Sequence, residues 1–382
     1  MQTVECSKCG GCALRNMQMS EYRRVKEDDF IKTIKHIKKA TPQFDMPIFI
    51  EDGQRRRANM TFLTSEKKLY LGFNARESHQ IVDIASCPML CSQLNQLLEP
   101  LHRFLQEFCQ IKISLKNKKK KIQVTNIDKG DIYILAADNG VDIMLEIFQQ
   151  PTIEHRMLVA DFVQQVPNIC RFSWKINQSL PETVVENITP EIVVAGYHLA
   201  IPQGVFLQAS KKAETAMINK VLEYLGETRG YLADLFCGLG TFTLPIAKMK
   251  ENNVLAVDSS TDALRGLQKA LNINQCQNVQ VLNRNLFKEP LDATELGKIK
   301  TLIMDPPRAG AHQQCREIAK LPISMKPSKI IFISCNPKTF VYDAELLINA
   351  GYNLEKITLI DHYVYSPHHV LIALLTLTPN AN

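Results

Sequence analysis

A cysteine at residue 335 lies where a buried strand would end and a helix would begin. The sequence Ser334-Cys-Asn-Pro337 follows the apolar run at 329–333, and proline is favoured at the first position of a helix. The positive end of the helix dipole lowers the pKa of a nearby thiol and increases its thiolate fraction. The sequence therefore predicts that Cys335 is a nucleophile with a lowered pKa.

A second motif, Asp305-Pro-Pro-Arg, follows the apolar run at 301–304. Its two prolines hold an extended edge at the carboxyl end of a parallel strand, where open α/β sheets bind their ligands. Cys335 follows another strand of the same kind, so both motifs are expected at the ligand-binding edge. A lone cysteine is otherwise most often a small buried apolar residue.

A glycine-containing turn follows a third strand and opens a helix. Gly238 and Gly240 permit a ligand to approach the turn closely. Asp258 ends the next strand 20 residues after Gly238, where a carboxylate can accept hydrogen bonds from both ribose hydroxyls. The turn holds two of the three glycines of a dinucleotide site and is preceded by Asp234, which favours S-adenosylmethionine over NAD. A G-x-G turn alone is a weak signal, and Asp258 could also be an ordinary surface residue.

Three cysteines near the start of the chain have the spacing of a metal centre. Cys6, Cys9 and Cys12 are each separated by two residues, and a Cys-Pro pair occurs later at Cys87. Bacterial ferredoxins combine the same elements. Four thiolates suit either Zn²⁺ or a [4Fe–4S] cluster, and this spacing favours the cluster. Cys91 is a competing fourth ligand.

The composition of the 382-residue chain is that of a globular protein. It is 45% hydrophobic and 22% charged, which excludes a disordered chain. The sequence shows neither an apolar run long enough to span a membrane nor a secretory signal. An odd count of 11 cysteines argues against a disulfide framework. We therefore expect a cytoplasmic protein, and a monomer because no long amphipathic seam is left over.

The net charge of +6 is spread over both halves of the chain, with basic clusters at Arg55–Arg57 and at Lys116 with Lys118–Lys121. Such clusters can bind phosphates, although a single basic run is more often a solvated loop.

The period of the apolar residues changes along the chain. A polar helix is predicted at 13–40, a β-hairpin at 57–74, strands at 111–148, a helix at 152–166, and strands near 170–176 and 192–201. This pattern is mostly antiparallel β with helical insertions. After residue 200, short apolar runs alternate with helical patterns, as in a doubly wound parallel sheet. The predicted domains are 1–200 and 201–382, an α+β domain followed by a Rossmann-like α/β domain.

The motifs together resemble one enzyme family. DLFCGLGTFTL, DPPRAG and SCNP, with Phe206-Leu-Gln208 and the N-terminal cysteines, resemble the RNA uracil-C5 methyltransferases. Within that family the chain looks most like the iron–sulfur 23S ribosomal RNA enzymes, since the tRNA-specific branch lacks the cluster cysteines. The resemblance implies an S-adenosylmethionine-dependent methyltransferase domain preceded by a domain that carries a [4Fe–4S] cluster on Cys6, Cys9, Cys12 and Cys87.

The resemblance also implies the roles of the site residues. Gln208, Phe236, Asp258 and Asp305 would line the pocket for S-adenosylmethionine and uracil. Cys335 would add to uracil C6 and so make C5 nucleophilic. Asp305 could accept a hydrogen bond from uracil N3–H. The first domain would bind the phosphates of 23S ribosomal RNA, and a tRNA substrate is the less favoured alternative.

One segment departs from the family. Relatives of this kind end with a segment whose Glu removes the C5 proton, whereas this chain has Val370 there and retains His368 two residues earlier. His369 or a water could replace the Glu. The departure also supports a different hypothesis, a catalytically impaired RNA-binding relative, although Cys335 and Asp305 argue against it.

Overall fold

The structure is a computed structural model that describes residues 8–116 and 122–377, without the side chains of residues 115, 116, 122 and 123. The predicted cluster ligand Cys6 and the basic run Lys118–Lys121 lie outside the described residues. Within the described part of the chain, no helix is both long enough and apolar enough to cross a membrane.

The described helices are α1 (Met19–Ile34), α2 (Ser92–Phe108), α3 (Ile153–Gln165), α4 (Lys211–Leu225), α5 (Thr243–Ala247), α6 (Thr261–Ile273), α7 (Ala293–Leu296), α8 (His312–Lys320) and α9 (Pro337–Asn349). The strands before residue 201 are β1 (Gln43–Phe44), β2 (Ile48–Phe49), β3 (Arg57–Ser65), β4 (Lys68–Asn74), β5 (Ile81–Asp83), β6 (Lys112–Lys116), β7 (Ile122–Asn126), β8 (Lys129–Ala137), β9 (Gly140–Ile147), β10 (Ile169–Ile176), β11 (Glu182–Glu186), β12 (Glu191–Val194) and β13 (Tyr197–Ala200). The later strands are β14 (Gly230–Leu235), β15 (Asn252–Asp258), β16 (Val279–Asn283), β17 (Thr301–Met304), β18 (Lys329–Ser334), β19 (Tyr352–Asp361) and β20 (Val370–Leu377).

The chain divides into two compact units. The described residues up to Ala13, together with Glu51–Ile192, form the first unit. Leu14–Ile50 and the described residues from Val193 onward form the second unit. The single boundary predicted near residue 200 leaves residues 14–50 in the first domain, whereas the structure groups them with the second unit.

The first unit is built on a sheet in the order β11-β10-β9-β8-β3-β4-β5, in which only the β9–β10 pair is parallel. The predicted hairpin is confirmed, with Ser65 opposite Lys68 across a turn of two residues that both have positive φ. Ala58, Met60 and Phe62 alternate inward from β3, as the period of two predicts. The apolar stripe of α2 contributes Phe104 to the same core.

The second unit contains the predicted parallel sheet. Its order is β1-β19-β20-β18-β17-β14-β15-β16, and β14 to β18 pair in parallel while β20 is antiparallel to both β18 and β19. The side chains of β17 and nearly all those of β18 are buried, as expected for strands covered on both faces. The chain runs outward from β14 through β15 to β16 and then returns to the other side of β14, where β17 pairs. The carboxyl ends of β14 and β17 therefore flank a topological switch point.

Residues 14–50 pack against the last strands of the chain. The short strands β1 and β2 pair in parallel with β19. Helix α1 buries Tyr22, Lys26, Phe30 and Ile34, a spacing of four residues that forms one stripe along a helix. The lysine in this stripe finds its partner on β19, where Asp361 lies 3.0 Å from the Lys26 ammonium.

Candidate active site

A cavity of about 500 Å³ lies in the second unit at the carboxyl edge of the parallel strands. Its lining includes all five residues that the sequence predicts for the pocket: Gln208, Phe236, Asp258, Asp305 and Cys335. They come from the segment before α4 and from the ends of β14, β15, β17 and β18. Parallel pairing places those strand ends at one edge of the sheet, and the residues are therefore brought together by topology.

The glycine turn after β14 leaves space on the cavity side. Gly238 has a φ of +53°, and a Cβ atom built there meets no atom within 4 Å. Gly240 has a φ of +89°, but its Cβ would lie 2.6 Å from the Leu267 side chain, so that glycine is required for packing. Phe236 adopts a φ of +63° although it carries a side chain. A left-handed non-glycine residue is costly and occurs mainly where function or packing requires it.

Asp258 connects this turn to the next helix. One of its carboxylate oxygens accepts a hydrogen bond of 3.0 Å from the Gly238 amide, and the other accepts one of 2.7 Å from the Ser260 amide. The Ser260 hydroxyl in turn caps α6. Each carboxylate oxygen can accept more than one hydrogen bond, so the oriented carboxylate can also accept hydrogen bonds from the hydroxyls of a ligand.

Asp305 and Gln208 meet within the cavity. The Gln208 amide donates a 3.4 Å hydrogen bond to the Asp305 carboxylate. Burial raises the pKa of Asp305 to about 7, because a carboxylate loses hydration there. A carboxyl with this pKa is ionised and accepts hydrogen bonds above neutral pH, and it becomes a donor below neutral pH.

The loop that carries Arg308 is fastened to the turn that carries Cys335. The Asn336 amide and the Thr339 hydroxyl both donate hydrogen bonds to the Arg308 carbonyl, at 3.0 and 3.3 Å. Asn336 also caps α9, whose first residue is Pro337, as the sequence predicts. These bonds make the proline-rich loop and the cysteine turn one structural element.

The environment of Cys335 differs from the prediction in one respect. Burial and the nearby Asp305 carboxylate raise the pKa of the Cys335 thiol, and the Arg308 cation opposes them only in part. The predicted lowering of this pKa is therefore wrong. Cys335 does precede the first turn of α9, but desolvation destabilises the thiolate in this half-buried site, and the pKa of the thiol is raised in spite of that position.

A loop between β19 and β20 closes another side of the cavity. The Lys26 ammonium donates hydrogen bonds to the carbonyls of Ser366 and His368, at 2.9 and 2.5 Å. Arg308 lies 3.0 Å from the Nδ1 atom of His368, whose ring lines the cavity together with Val370. Helix α1 thus holds a loop of the cavity wall that is more than 300 residues away in sequence.

His369, one of the predicted substitutes for the missing Glu, is buried and does not line the cavity. Its ring packs 6.3 Å from that of Phe30, and burial lowers its pKa to about 4.

The cavity also contains residues that the sequence prediction does not name as site residues. Arg284 and Phe287 follow β16, and Tyr363 follows β19. Arg284 forms a 2.8 Å ion pair with Glu295, and the Phe287 ring lies 5.6 Å from that of Phe236. The rule that ligands bind beyond the carboxyl ends of strands could have indicated the residues after β16.

The predicted metal ligands are described only in part. The Gly10 amide donates a 3.1 Å hydrogen bond to the Asn74 carbonyl, and Cys9 forms an antiparallel bridge with Ala75. The Cys87 amide and carbonyl are both held by the Asn95 side chain. Among the described residues, no group of three or more His, Cys, Asp or Glu side chains is placed to hold a metal ion.

The basic cluster of the first unit presents less charge to solvent than its sequence suggests. Arg56 is only 5% exposed, and its carbonyl accepts a hydrogen bond from the Ala136 amide. Arg57 begins β3 and is half-buried. The expectation that this whole run contacts phosphates therefore does not hold for the Arg56 side chain.

Comparison with known proteins identifies the family. A family model described as tRNA (Uracil-5-)-methyltransferase matches residues 24–376. The chain belongs to this family. It therefore shares the family's activity, the methylation of uracil C5 in RNA with S-adenosylmethionine as methyl donor.

Several relatives match almost the whole of this methyltransferase. An uncharacterized RNA methyltransferase of Agrobacterium fabrum is 32% identical over 96% of this chain and 82% of its own length. The 23S rRNA (uracil(1939)-C(5))-methyltransferase RlmD of Mannheimia succiniciproducens is 28% identical over 96% of this chain and 80% of its own length. The crystal structure of Pyrococcus abyssi tRNA (uracil-54, C5)-methyltransferase with S-adenosyl-L-homocysteine has a TM-score of 0.69 at 22% identity, over 96% of this chain and 86% of that one. The last comparison shows that the α/β methyltransferase fold is shared.

Proposed function

We propose that this protein methylates C5 of a uridine in 23S ribosomal RNA through a covalent bond between Cys335 and uracil C6. The observation that carries the proposal is the convergence of Gln208, Phe236, Asp258, Asp305 and Cys335 on one cavity. A nucleophile, a carboxyl group and a nucleoside-binding turn in one space are what C5 methylation requires.

The turn and strand end around Asp258 fit S-adenosylmethionine. The open space beside Gly238 accommodates a ligand, and the Asp258 carboxylate is oriented to accept hydrogen bonds from ribose hydroxyls. Phe236 and Phe287 supply apolar ring surface on the same wall. When bound, the donor supplies a methyl group on a positively charged sulfur.

Cys335 would convert uracil into a carbon nucleophile. Its thiolate forms a bond to C6, and the electron pair of the C5–C6 double bond moves into an enolate that reacts at C5. Arg308 favours the thiolate, because it is the cation whose charge opposes the raised pKa of this thiol. The proton of the thiol leaves to solvent before the attack.

Asp305 and Gln208 would orient the base. A uracil ring presents an N3–H donor between two carbonyl acceptors. The ionised Asp305 carboxylate can accept from N3–H, while the Gln208 amide beside it can donate to a carbonyl. The target uridine must leave its base stack to reach these groups.

The choice of ribosomal RNA is supported by the RlmD relative and by the N-terminal cysteines. RlmD of M. succiniciproducens is named as a 23S rRNA enzyme and aligns over 96% of this chain. The family description names tRNA, and a tRNA substrate is therefore the outcome that the experiment must distinguish.

The test supplies methyl-labelled S-adenosylmethionine together with unmodified 23S ribosomal RNA or unmodified tRNA, under anaerobic conditions. We expect 5-methyluridine in the 23S RNA and none with Cys335→Ala, whereas Cys276→Ala, a cysteine outside the cavity, retains activity. Label in tRNA alone would contradict the ribosomal substrate. RNA binding without any label would favour the impaired RNA-binding relative.

We also propose that Cys6, Cys9, Cys12 and Cys87 bind a [4Fe–4S] cluster. The C-x2-C-x2-C spacing supports this, as does Gly10, whose Cβ would lie only 3.1 Å from the Asn74 carbonyl. Glycine thus permits the cysteine segment to pack against the end of β4. Metal binding of this kind stabilises a fold, and no catalytic step is assigned to it.

Iron and acid-labile sulfide, measured after anaerobic purification, test the cluster independently of activity. We expect both to be lost in Cys87→Ser and retained in Cys91→Ser. The reverse result would assign Cys91 as the fourth ligand. The absence of iron and sulfide from the intact protein would refute the cluster.

A further inference from the structure

Methylation at C5 leaves a proton that some group must remove. After methyl transfer, C5 carries both the new methyl group and its original hydrogen, and C6 is still bonded to sulfur. The C6–S bond can break only when the C5–H electron pair re-forms the C5–C6 double bond. This step follows from the proposed function, and it requires a proton acceptor in the cavity.

Few groups of the described cavity lining can accept a proton. Asp258 has both oxygens engaged by the Gly238 and Ser260 amides and lies at the nucleoside-binding turn. Asp305 is paired with Gln208 and is needed to accept from the uracil ring. Val370 has no polar side-chain atom. Among the carboxyl and imidazole groups of the described lining, the imidazole of His368 remains.

His368 and the proposed nucleophile share a neighbouring cation. Arg308 lies 3.0 Å from Nδ1 and 3.3 Å from Nε2 of His368. The same arginine is the cation that acts on the Cys335 thiol. Arg308 therefore lies near both groups, and all three side chains line one cavity.

The His368 ring is also held in place and open to water. Lys26 anchors its carbonyl, its amide donates a 3.0 Å hydrogen bond to the Ser366 hydroxyl, and its ring lies edge-on to Tyr363 at 6.3 Å. The residue is exposed, so a proton that it accepts can pass to solvent. Partial desolvation of the ring and the charges of Arg308 and Lys26 lower the pKa of His368 below its usual value, which favours the neutral imidazole that can accept a proton.

We propose that His368 is the general base that removes the C5 proton and so releases methylated RNA from Cys335. An unprotonated ring nitrogen takes the C5 proton, and the C5–H pair forms the C5–C6 double bond. The C6–S pair returns to sulfur, and Cys335 leaves as a thiolate. The imidazolium then loses its proton to water. Arg308 must shift from the accepting nitrogen when the substrate binds.

The experiment measures methyl transfer and proton release separately. RNA that contains [5-³H]uridine is mixed with excess enzyme and ¹⁴C-methyl-labelled S-adenosylmethionine. Methyl incorporation into RNA, tritium release into water and the protein–RNA band on a denaturing gel are followed in one turnover. The variants are His368→Ala and His368→Gln, with His198→Ala, outside the cavity, as the matched control.

We expect both His368 variants to transfer the methyl group at close to the wild-type rate. Tritium release should fall about 100-fold or more, the usual contribution of a general base, and the covalent band should accumulate. Free imidazole should partly restore release in His368→Ala, whereas His198→Ala should match the wild type.

Two results would overturn the assignment. Release of tritium at the wild-type rate from both variants would show that another group is the base. An equal loss of methyl transfer and tritium release in both variants would show that His368 only maintains the site. Failure of the proposed function is distinct, because the wild-type protein would then incorporate no methyl group at all.

Discussion

Neutralising Asp305 should stabilise the second unit at high pH while it removes activity. In the folded protein the pKa of Asp305 is about 7, against an ordinary value of 3.8. Between these two values the folded state binds a proton that the unfolded state has lost, so the stability of the wild-type protein falls as pH rises. Asp305→Asn cannot lose this proton and avoids the decrease.

The magnitude follows from the width of the pH interval. The comparison is made at pH 5 and pH 8.5, so only the part of the interval between pH 5 and 7 contributes. Each pH unit there changes the free energy of unfolding by about 1.4 kcal/mol, which gives a ceiling of about 3 kcal/mol. Because Asp305 lines an open cavity, water reduces the effect, and we expect about 1 to 2 kcal/mol. Burial raises the pKa of Asp234 to about 7, and the Asp305 charge raises it further. Asp305→Asn removes that charge, so the stability lost through Asp234 as pH rises becomes smaller as well.

Native-state hydrogen exchange, read by peptide mass spectrometry, can measure this change. Asp305→Asn is compared with the wild type at pH 5 and at pH 8.5. The difference in protection of β14 and β17 should grow with pH, while β8 and β9 of the first unit serve as an internal reference. Asp262→Asn removes an exposed carboxylate and is the matched control. A difference that is equal at both pH values would refute the linkage argument.

Three further predictions concern the same unit. Lys26→Met should lower the free energy of unfolding by about 3 to 5 kcal/mol, the usual cost of breaking a buried ion pair, and a loss below 1 kcal/mol in denaturant titration would contradict this. Alkylation of Cys335 by iodoacetamide, followed by peptide mass spectrometry, should have its midpoint above pH 9, because burial and Asp305 raise the thiol pKa above its ordinary 9.0. Asp305→Asn should move that midpoint to lower pH, and an unchanged midpoint would exclude the carboxylate as a cause. Gly238→Leu should weaken S-adenosylmethionine binding at least 10-fold by calorimetry, since the side chain enters the cavity. Gly204 also has a positive φ, +70°, and open space around a built Cβ, but it does not line the cavity. Equal weakening by Gly204→Leu would therefore indicate backbone strain rather than filling of the cavity.

Much of the architecture is encoded locally. The hairpin at 57–74 follows from a period of two with a polar turn between its strands, and the runs that form β14 to β18 are short and apolar enough to be recognised singly. The five predicted pocket residues lie directly before α4 or at strand ends, and parallel pairing necessarily places strand ends at one edge. For Asp258, Asp305 and Cys335, local pattern and a general rule of α/β sheets were sufficient, whereas Gln208 and Phe236 were predicted only from the resemblance to the family.

Other features depend on contacts between residues far apart in sequence. The polar helix predicted at 13–40 gives no sign that Lys26 will bind the loop around His368, because the partners are 342 residues apart. The electrostatic environment of Cys335 also depends on distances, since burial and the Asp305 carboxylate raise the pKa of its thiol and Arg308 opposes them.

The sequence by itself determined the order of the motifs, the candidate nucleophile Cys335 and the absence of a carboxylate at residue 370. The tertiary structure decided which groups surround them. His369 is buried, whereas His368 lies beside Arg308 in the cavity. Adjacent residues on a loop have opposite environments here because side-chain burial is set by the elements that pack against the loop, and those elements come from both ends of the chain.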